Sequence, residues 1–520
     1  MKAPWRPGMG GSEDWFDAIV IGSGFGGSIA GLRLAEVGQR VCILERGRSY
    51  EAQDFPRDPL HGQRLLWRHP ARRNWTGLYD LRFLSGLLTL GAAGLGGGSL
   101  VFANALIRPD ERVFDDRWPP GVDPAGLTSY YERVQAEVGP SPSPAEYALR
   151  KDVAMERAAA VLDRSSALVR PPLGIDWRTC QLIAECEFGC PTGAKRTLDQ
   201  TYLARARALG AELRTETRAI GIEPVRDGYR VTVARVPERR RSVLRARRVV
   251  LAAGTLGTTE LLLRARDQHR TLPFLSARLG ERFSGNGDFI GLIVETTDAL
   301  DPWRGPDVTA VLKAFDADPG ITIAAPTFAL PMMAALAGSA RLDPAPLRPL
   351  GGLLWGVADD LVHILLGNDV GRRLLRSAVA RTPDQAATEA ARHTTAVFAI
   401  GRDSGSGRLL LRRRRGTPQL DLEWDYATTD GELVARQQRL LNGLARAYGG
   451  RFVASPMWAL AGRTGTVHPL GGAIMGADPA GGRRVSDRRG ARLPGPVRDR
   501  RVRHSDVRRL PPRSYDHRQR

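Results

Sequence analysis

A chain of 520 residues, 42% hydrophobic and 25% charged, is too long for one ordinary core and too apolar for disorder, so two intimate globular domains are expected. The net charge of +20 would suit a nucleic-acid binder, but residues 483–520 carry half of it on 14 arginines and 4 aspartates. The rest forms no stripe, which argues against nucleic acid as a partner.

Residues 1–17 lack the apolar run of a secretory signal, so none is expected. Asp17–Ile21 reads as a buried strand, Gly22–Gly27 as a tight turn, residues 26–37 as a helix ended by Gly38, and Val41–Leu44 as a second strand. Residues 51–82 read as irregular. The uncharged stretches Phe83–Ile107 and Ile321–Ala340 approach the length of a membrane span. Gly91, Gly94, Gly96, Gly97 and Gly98 make the first a loop pressed on a ligand, and no transmembrane segment is expected.

Helices are predicted over 124–138, 150–162 and Leu198–Leu209, and strands over 211–223, 229–236 and Val249–Ala252. From about 288 the texture changes. Asp288–Thr297, His393–Arg402, Arg408–Arg412 and Gln419–Trp424 read as strands without intervening helices, which predicts a mainly antiparallel sheet. A helix over 429–447 presents Leu433, Leu440, Leu441 and Leu444 on one face.

Two glycine clusters carry chemistry. In Gly22-Ser-Gly24-Phe-Gly26-Gly27, Gly22 permits the turn out of the strand, Gly24 lets backbone approach a pyrophosphate, and Gly27 lets helix and strand pack closely. Glu45 ends the next strand 18 residues after Gly27, a reach that suits hydrogen bonds from a ribose. This context points to a dinucleotide. The second cluster, Gly94-Leu-Gly96-Gly97-Gly98-Ser99, leaves backbone amides bare between apolar flanks, which suits a buried loop against a ring or a pyrophosphate.

Of the four cysteines, Cys42, Cys180, Cys186 and Cys190, three fall within eleven residues. Four are too few for a disulfide scaffold and fit a reducing cytoplasm. A structural zinc site wants four ligands, and no fourth cysteine or nearby histidine completes one, so no metal is expected.

The order of these motifs resembles the glucose–methanol–choline (GMC) oxidoreductase family, and within it the branch that includes bacterial cholesterol oxidases. The likeness rests on the fingerprint, on Gly94–Ser99 with Asn104 behind it, and on Val249-Val-Leu-Ala-Ala-Gly254-Thr-Leu-Gly257. Gly285-Asn286-Gly287, Gly193-Ala-Lys195 and Thr466-Val-His468-Pro469-Leu-Gly471-Gly472 add to it. The resemblance implies an α/β fold: a discontinuous Rossmann-like FAD-binding domain plus an α+β substrate domain with a mainly antiparallel sheet. The FAD domain is placed at 1–287, with cap loops at 51–82 and 111–195, and returns at 456–482; the substrate domain takes 288–455. FAD is the implied cofactor, held by Gly22, Gly24, Gly27, Glu45, Gly96, Gly97, Gly98, Ser99, Asn104 and Gly254. His468 is the implied catalytic residue, handling the hydroxyl proton of an alcohol while hydride leaves the carbon. The resemblance implies an apolar alcohol, with a sterol as one candidate; cholesterol oxidases carry an active-site glutamate in the substrate domain, and the corresponding run Ile321–Phe328 has no acid, which counts against a steroid and leaves alcohol oxidation open.

The family pattern continues through Met475-Gly-Ala-Asp478-Pro-Ala-Gly-Gly482 and then gives way to Arg483-Arg-Val-Ser-Asp-Arg-Arg. The family's Asn-Pro pair and closing helix do not follow. The composition of 483–520 predicts a disordered tail and reads as a shifted reading frame near residue 482. The alternative is a genuine basic tail for RNA or anionic lipid. On the first reading the chain is a flavin-binding protein whose turnover is impaired; otherwise it is a working FAD-dependent alcohol oxidoreductase.

Overall fold

Trp15–Ile21 forms β1, whose last four residues are buried, as a strand covered on both faces must be. The computed structural model describes residues 15–475, except 57–64, 68–75, 116–117, 120, 237, 239, 316–319, 342–344, 352, 356–383 and 415. The tail expected at 483–520 and the segment after Met475 lie outside the described residues.

From β1 the chain turns through Gly22 into helix α1, Phe25–Glu36, and returns along β2, Val41–Leu44, parallel to β1. Two glycines make the turn this tight. Gly22 has φ +101°, and a Cβ on it would lie 2.3 Å from the Ala252 carbonyl oxygen. A Cβ on Gly27 would lie 1.9 Å from the Gly22 carbonyl oxygen, so α1 sits against its own turn as no other residue allows.

The sheet grows on both sides of this unit. Glu212–Arg214 (β6) adds parallel to β2. Thr217–Val225 (β7), Gly228–Arg235 (β8) and Arg241–Leu251 (β9) form an antiparallel meander, and β9 also runs parallel to β1. The order is β6-β2-β1-β9-β8-β7. Both β1 and β9 run into glycine turns and helices at the same edge. The helix after β9 spans Gly254–Leu263. In an open α/β sheet, the carboxyl edge where neighbouring strands diverge is where ligands bind.

A second six-stranded sheet is antiparallel, as expected. It contains Phe289–Val294 (β10), Val311–Ala314 (β11), Ile321–Ala324 (β12), Thr395–Gly401 (β13) and Arg451–Ala454 (β16), with Leu168–Val169 (β5) on its edge. The β11–β12 pair was not foreseen; each strand is only four residues long, too short for periodicity to reveal. Arg408–Arg414 (β14) and Thr417–Glu423 (β15) are strands as expected, but they form a separate hairpin. Its Leu409 and Leu422 join the core under the antiparallel sheet, while Leu411 and Leu420 pack on the core of the parallel one. The helix Gly431–Ala447 buries Leu433, Leu441 and Leu444 beneath the antiparallel sheet.

A small third sheet ties the layers together. Tyr79–Phe83 (β3) and Leu88–Ala92 (β4) form a hairpin in a region expected to be irregular up to residue 82, and Gly465–Thr466 (β17) runs parallel to β4. This pairing carries the 465–472 turn to the neighbourhood of the 94–99 loop. The helix expected from Leu198 begins at Tyr202; before it, the Leu198 N–H is given to the Ser99 hydroxyl and the Gln200 and Thr201 N–H groups to the Thr197 carbonyl. Among the described residues no helix is long and apolar enough to cross a membrane.

The two fingerprint glycines should respond differently to substitution. Gly27→Val should lower the unfolding temperature or abolish soluble expression, since overpacking costs about 1–3 kcal/mol or more. Gly24→Ala, whose Cβ would have its nearest neighbour at 3.9 Å, should leave the melting curve unchanged. Equal melting temperatures for native protein and Gly27→Val would contradict the packing described here.

Candidate active site

A cleft of about 950 Å³ opens at the edge where β1 and β9 end. Gly22, Gly24, Glu45, Gly97, Gly98 and Gly254 line it. The two glycine loops meet face to face there: a Cβ on Gly97 would lie 2.7 Å from the Gly24 Cα. Gly24 and Gly254 look into the cleft, with no atom within 4 Å of a Cβ on Gly254. Bare backbone thus surrounds an open volume at the start of two helices.

Glu45 is buried and fixes this arrangement. Its carboxylate accepts from the Ser23 N–H at 3.2 Å, the Ser23 hydroxyl at 2.6 Å and the Gly47 N–H at 2.8 Å. The Ser23 oxygen in turn accepts from the Gly96 N–H at 3.1 Å. One hydrogen-bonded chain therefore runs from the second loop through the first to the end of β2.

Four expected site residues stand behind the cleft. Gly27 packs on the turn. Gly96, with φ +106°, faces Asp199. The Ser99 hydroxyl donates to the Gly96 carbonyl at 2.8 Å and so shapes the loop. Asn104 is fully buried in the left-handed region (φ +63°), and its side-chain oxygen and nitrogen have no partner among the described residues.

His468 sits at the border between cleft and antiparallel sheet. Its neighbours Val467 and Pro469 line the cleft, and its ring meets the edge of Phe398 on β13 at 5.8 Å. The Thr255 hydroxyl donates to the Pro469 carbonyl at 2.7 Å, pinning the turn to the helix after β9. Sequence reasoning missed the histidine's partner. Asp288, buried at the entrance to β10, receives the ring Nδ1 at 3.0 Å. The same carboxylate accepts from the Thr466 hydroxyl at 2.7 Å and the Val467 N–H at 3.2 Å, so carboxylate and turn are locked together. A carboxylate can only accept, which puts the proton of the neutral ring on Nδ1 and leaves the Nε2 lone pair turned away from Asp288. Burial alone would lower the histidine's pKa, but the hydrogen bond and charge of Asp288 raise it above its ordinary value.

A charged wall was also missed. Arg46 and Arg82 share Asp80 at 2.8 and 2.9 Å, and Arg82 and Arg264 share Glu260 at 3.1 and 2.8 Å. Arg218 lies 3.8 Å from Glu260, and all six residues line the cleft. Against the opposing effect of burial, the arginines hold Glu260 down at about 2 and Asp80 well below the usual carboxylate range. Four half-buried cations face two buried anions in this wall, a surplus that favours an anionic ligand.

Residues 16–280 match the family model for GMC oxidoreductases. The chain belongs to the GMC oxidoreductase family. It is 31% identical over 310 residues to a cholesterol oxidase of Acinetobacter baumannii, covering 53% of this chain and 55% of that one. A cholesterol oxidase of Mycobacterium tuberculosis (strain ATCC 25618 / H37Rv) is 33% identical over 327 residues, covering 57% and 56%. The chain thus matches little more than half the length of these relatives. A long-chain-alcohol oxidase of Arabidopsis thaliana is 27% identical over 208 residues, 39% of this chain and 26% of that one. Pyridoxine 4-oxidase from Mesorbium loti shares the fold, with a TM-score of 0.57 over 89% of this chain and 90% of that one, at 15% identity.

In this GMC chain the His468 ring, followed by NMR, should titrate above the ordinary histidine value of about 6.5. Asp288→Asn should move the midpoint down. Because the folded pKa is the higher one, the pair's contribution to stability is complete below the unfolded value and fades as pH rises through the folded value. The native protein should therefore lose more stability than Asp288→Asn across that window. A midpoint that the substitution leaves unmoved would rule out the pairing.

Proposed function

We propose that this chain is an FAD-dependent oxidoreductase acting on the CH–OH group of an apolar alcohol. The observation that carries the reading is the buried Asp288 fixing His468 beside a glycine-walled cleft. The cleft fits a dinucleotide on two counts. Gly24 and Gly254 leave space that a side chain would fill, and the arginine wall suits a pyrophosphate's charge. Gly22, Gly24, Gly27 and Glu45 would hold the adenosine half; Gly96, Gly97, Gly98, Ser99, Asn104 and Gly254 would shape the site for the ring. FAD supplies the hydride acceptor when bound.

The chain's own part is the proton. Nε2 of neutral His468 accepts the hydrogen bond, and then the proton, of the substrate hydroxyl. Asp288 keeps that nitrogen free and stabilises the imidazolium that results, so the oxygen can become a carbonyl as hydride leaves the carbon. Residues 1–287 and 456–482 serve as the cofactor-binding part and 288–455 as the substrate part, in a protein whose four cysteines form no disulfide, a pattern that suits the cytoplasm.

An apolar alcohol is favoured by the Phe398 ring beside His468. The relatives named as acting on cholesterol or long-chain alcohols point the same way. The test is purification, an absorption scan for flavin, and steady-state oxidation of an alcohol panel with an artificial acceptor. Long-chain alcohols and cholesterol should outperform short polar ones in kcat/KM. His468→Gln should retain flavin and lose turnover by roughly 10²–10⁴-fold, the range for loss of a general base. A purified chain without flavin bands, or a His468→Gln variant with full turnover, would refute the proposal.

A further inference from the structure

A second, smaller pocket lies on the other side of the 94–99 loop. It holds about 250 Å³ and is lined by Tyr50, Phe55, Cys190, Lys195, Thr197 and Asp199. The loop forms the partition: Gly97 touches Gly24 on the cleft side, whereas Gly96 faces Asp199 and Gly94 packs on the Tyr50 ring.

Cys190 occupies an unusual place in this pocket. The segment Cys190-Pro-Thr-Gly-Ala-Lys195 curls back on itself through Gly193, at φ +68°. The Thr192 hydroxyl comes within 3.3 Å of the sulfur and also takes the Ala194 N–H at 3.4 Å. A hydrogen bond to a thiolate favours the charged form. Burial pushes the thiol up, but hydrogen bonding from Thr192 and the adjoining backbone outweighs it and holds Cys190 below the ordinary value. The neighbouring thiols behave oppositely: burial raises Cys180 and pushes Cys186 up to about 12. Cys42 is buried within β2.

The pocket also offers polar groups that the protein does not use. Tyr50 is 5% exposed and Thr197 4% exposed, yet the phenol oxygen of one and the hydroxyl of the other have no partner among the described residues, and neither has the Asp199 Oδ1. Buried polar atoms without partners are costly and imply a polar occupant. Lys195 completes the lining, its ammonium held by the Leu100 carbonyl at 3.2 Å and the Cys186 carbonyl at 2.8 Å.

We propose that Cys190 is a nucleophilic thiol in a second ligand pocket, which takes a small polar molecule with a thiol-reactive centre, of the class of low-molecular-weight disulfides. The sulfur of Cys190 attacks one sulfur of the disulfide, a new S–S bond forms as the old one breaks, and the other half leaves as a thiolate that takes a proton from water. Cys190 is oxidised to a mixed disulfide and half of the reagent is reduced to a thiol. Tyr50, Thr197 and Asp199 bind the polar substituent.

The purified 520-residue chain would be treated with bis(2-hydroxyethyl) disulfide at neutral pH, and the adducts followed by peptide mass spectrometry. Cys190 should react faster than Cys180 and Cys186, and faster in the folded protein than in the same chain in urea, the added thiolate outweighing its lower nucleophilicity. Thr192→Val should slow it. Tyr50→Phe should slow the hydroxyethyl reagent more than dimethyl disulfide, which has no polar group to bind. Faster labelling of Cys190 in urea than in the fold would overturn the proposal, as would equal effects of Tyr50→Phe on both reagents.

Discussion

Backbone meets backbone at the edge of the parallel sheet, and the rest of the site follows from that contact. Gly27 rests on Gly22, Gly22 on Ala252, and Gly97 on Gly24, each at a separation no side chain would permit. The consequence is an anion-friendly surface made of amides and helix ends. It also leaves little to hold the loops in place, because glycine brings no side-chain contacts and the greatest chain entropy. Glu45 and Ser23 meet that need. Their hydrogen bonds join both loops to the end of β2, where the sheet is rigid.

The side that holds His468 is built by the opposite strategy. His468 stands on a short turn held by side-chain bonds: Thr255 to Pro469, and Thr466 to Asp288. Asp288 serves the turn and the imidazole with one carboxylate, so the ring's position and its tautomer are set together. The small third sheet makes the meeting possible, since β17 lies beside β4 and so delivers the turn to the cleft.

Legibility in the sequence divides along the same line. The strand, turn and helix of the fingerprint, and Glu45 after them, could be read because they are consecutive and their glycines announce the geometry. His468 could be read because its turn carries Pro469, Gly471 and Gly472. Asp288 follows Gly287 directly but gives no local sign of its partner 180 residues away. The charged wall gathers Arg46, Asp80, Arg82, Arg218, Glu260 and Arg264 from four separate stretches, and only the fold puts them together. The 408–423 hairpin read correctly as strands and incorrectly as part of the larger sheet, because its leucines alternate in the same way whichever core receives them.

The family match ends at residue 280, just before the segment that supplies Asp288. The two sheets are packed under different constraints. Positions such as Gly22, Gly27 and Gly97 have no substitute, because any Cβ collides with backbone that cannot move. The antiparallel sheet is under a looser constraint. Its inward positions, Ile321, Ile323 and Val397, need only be apolar and of suitable volume, and cores accept such exchanges at modest cost. The antiparallel sheet beside His468 can therefore exchange core side chains within a fixed volume, whereas the glycine-walled edge of the parallel sheet cannot.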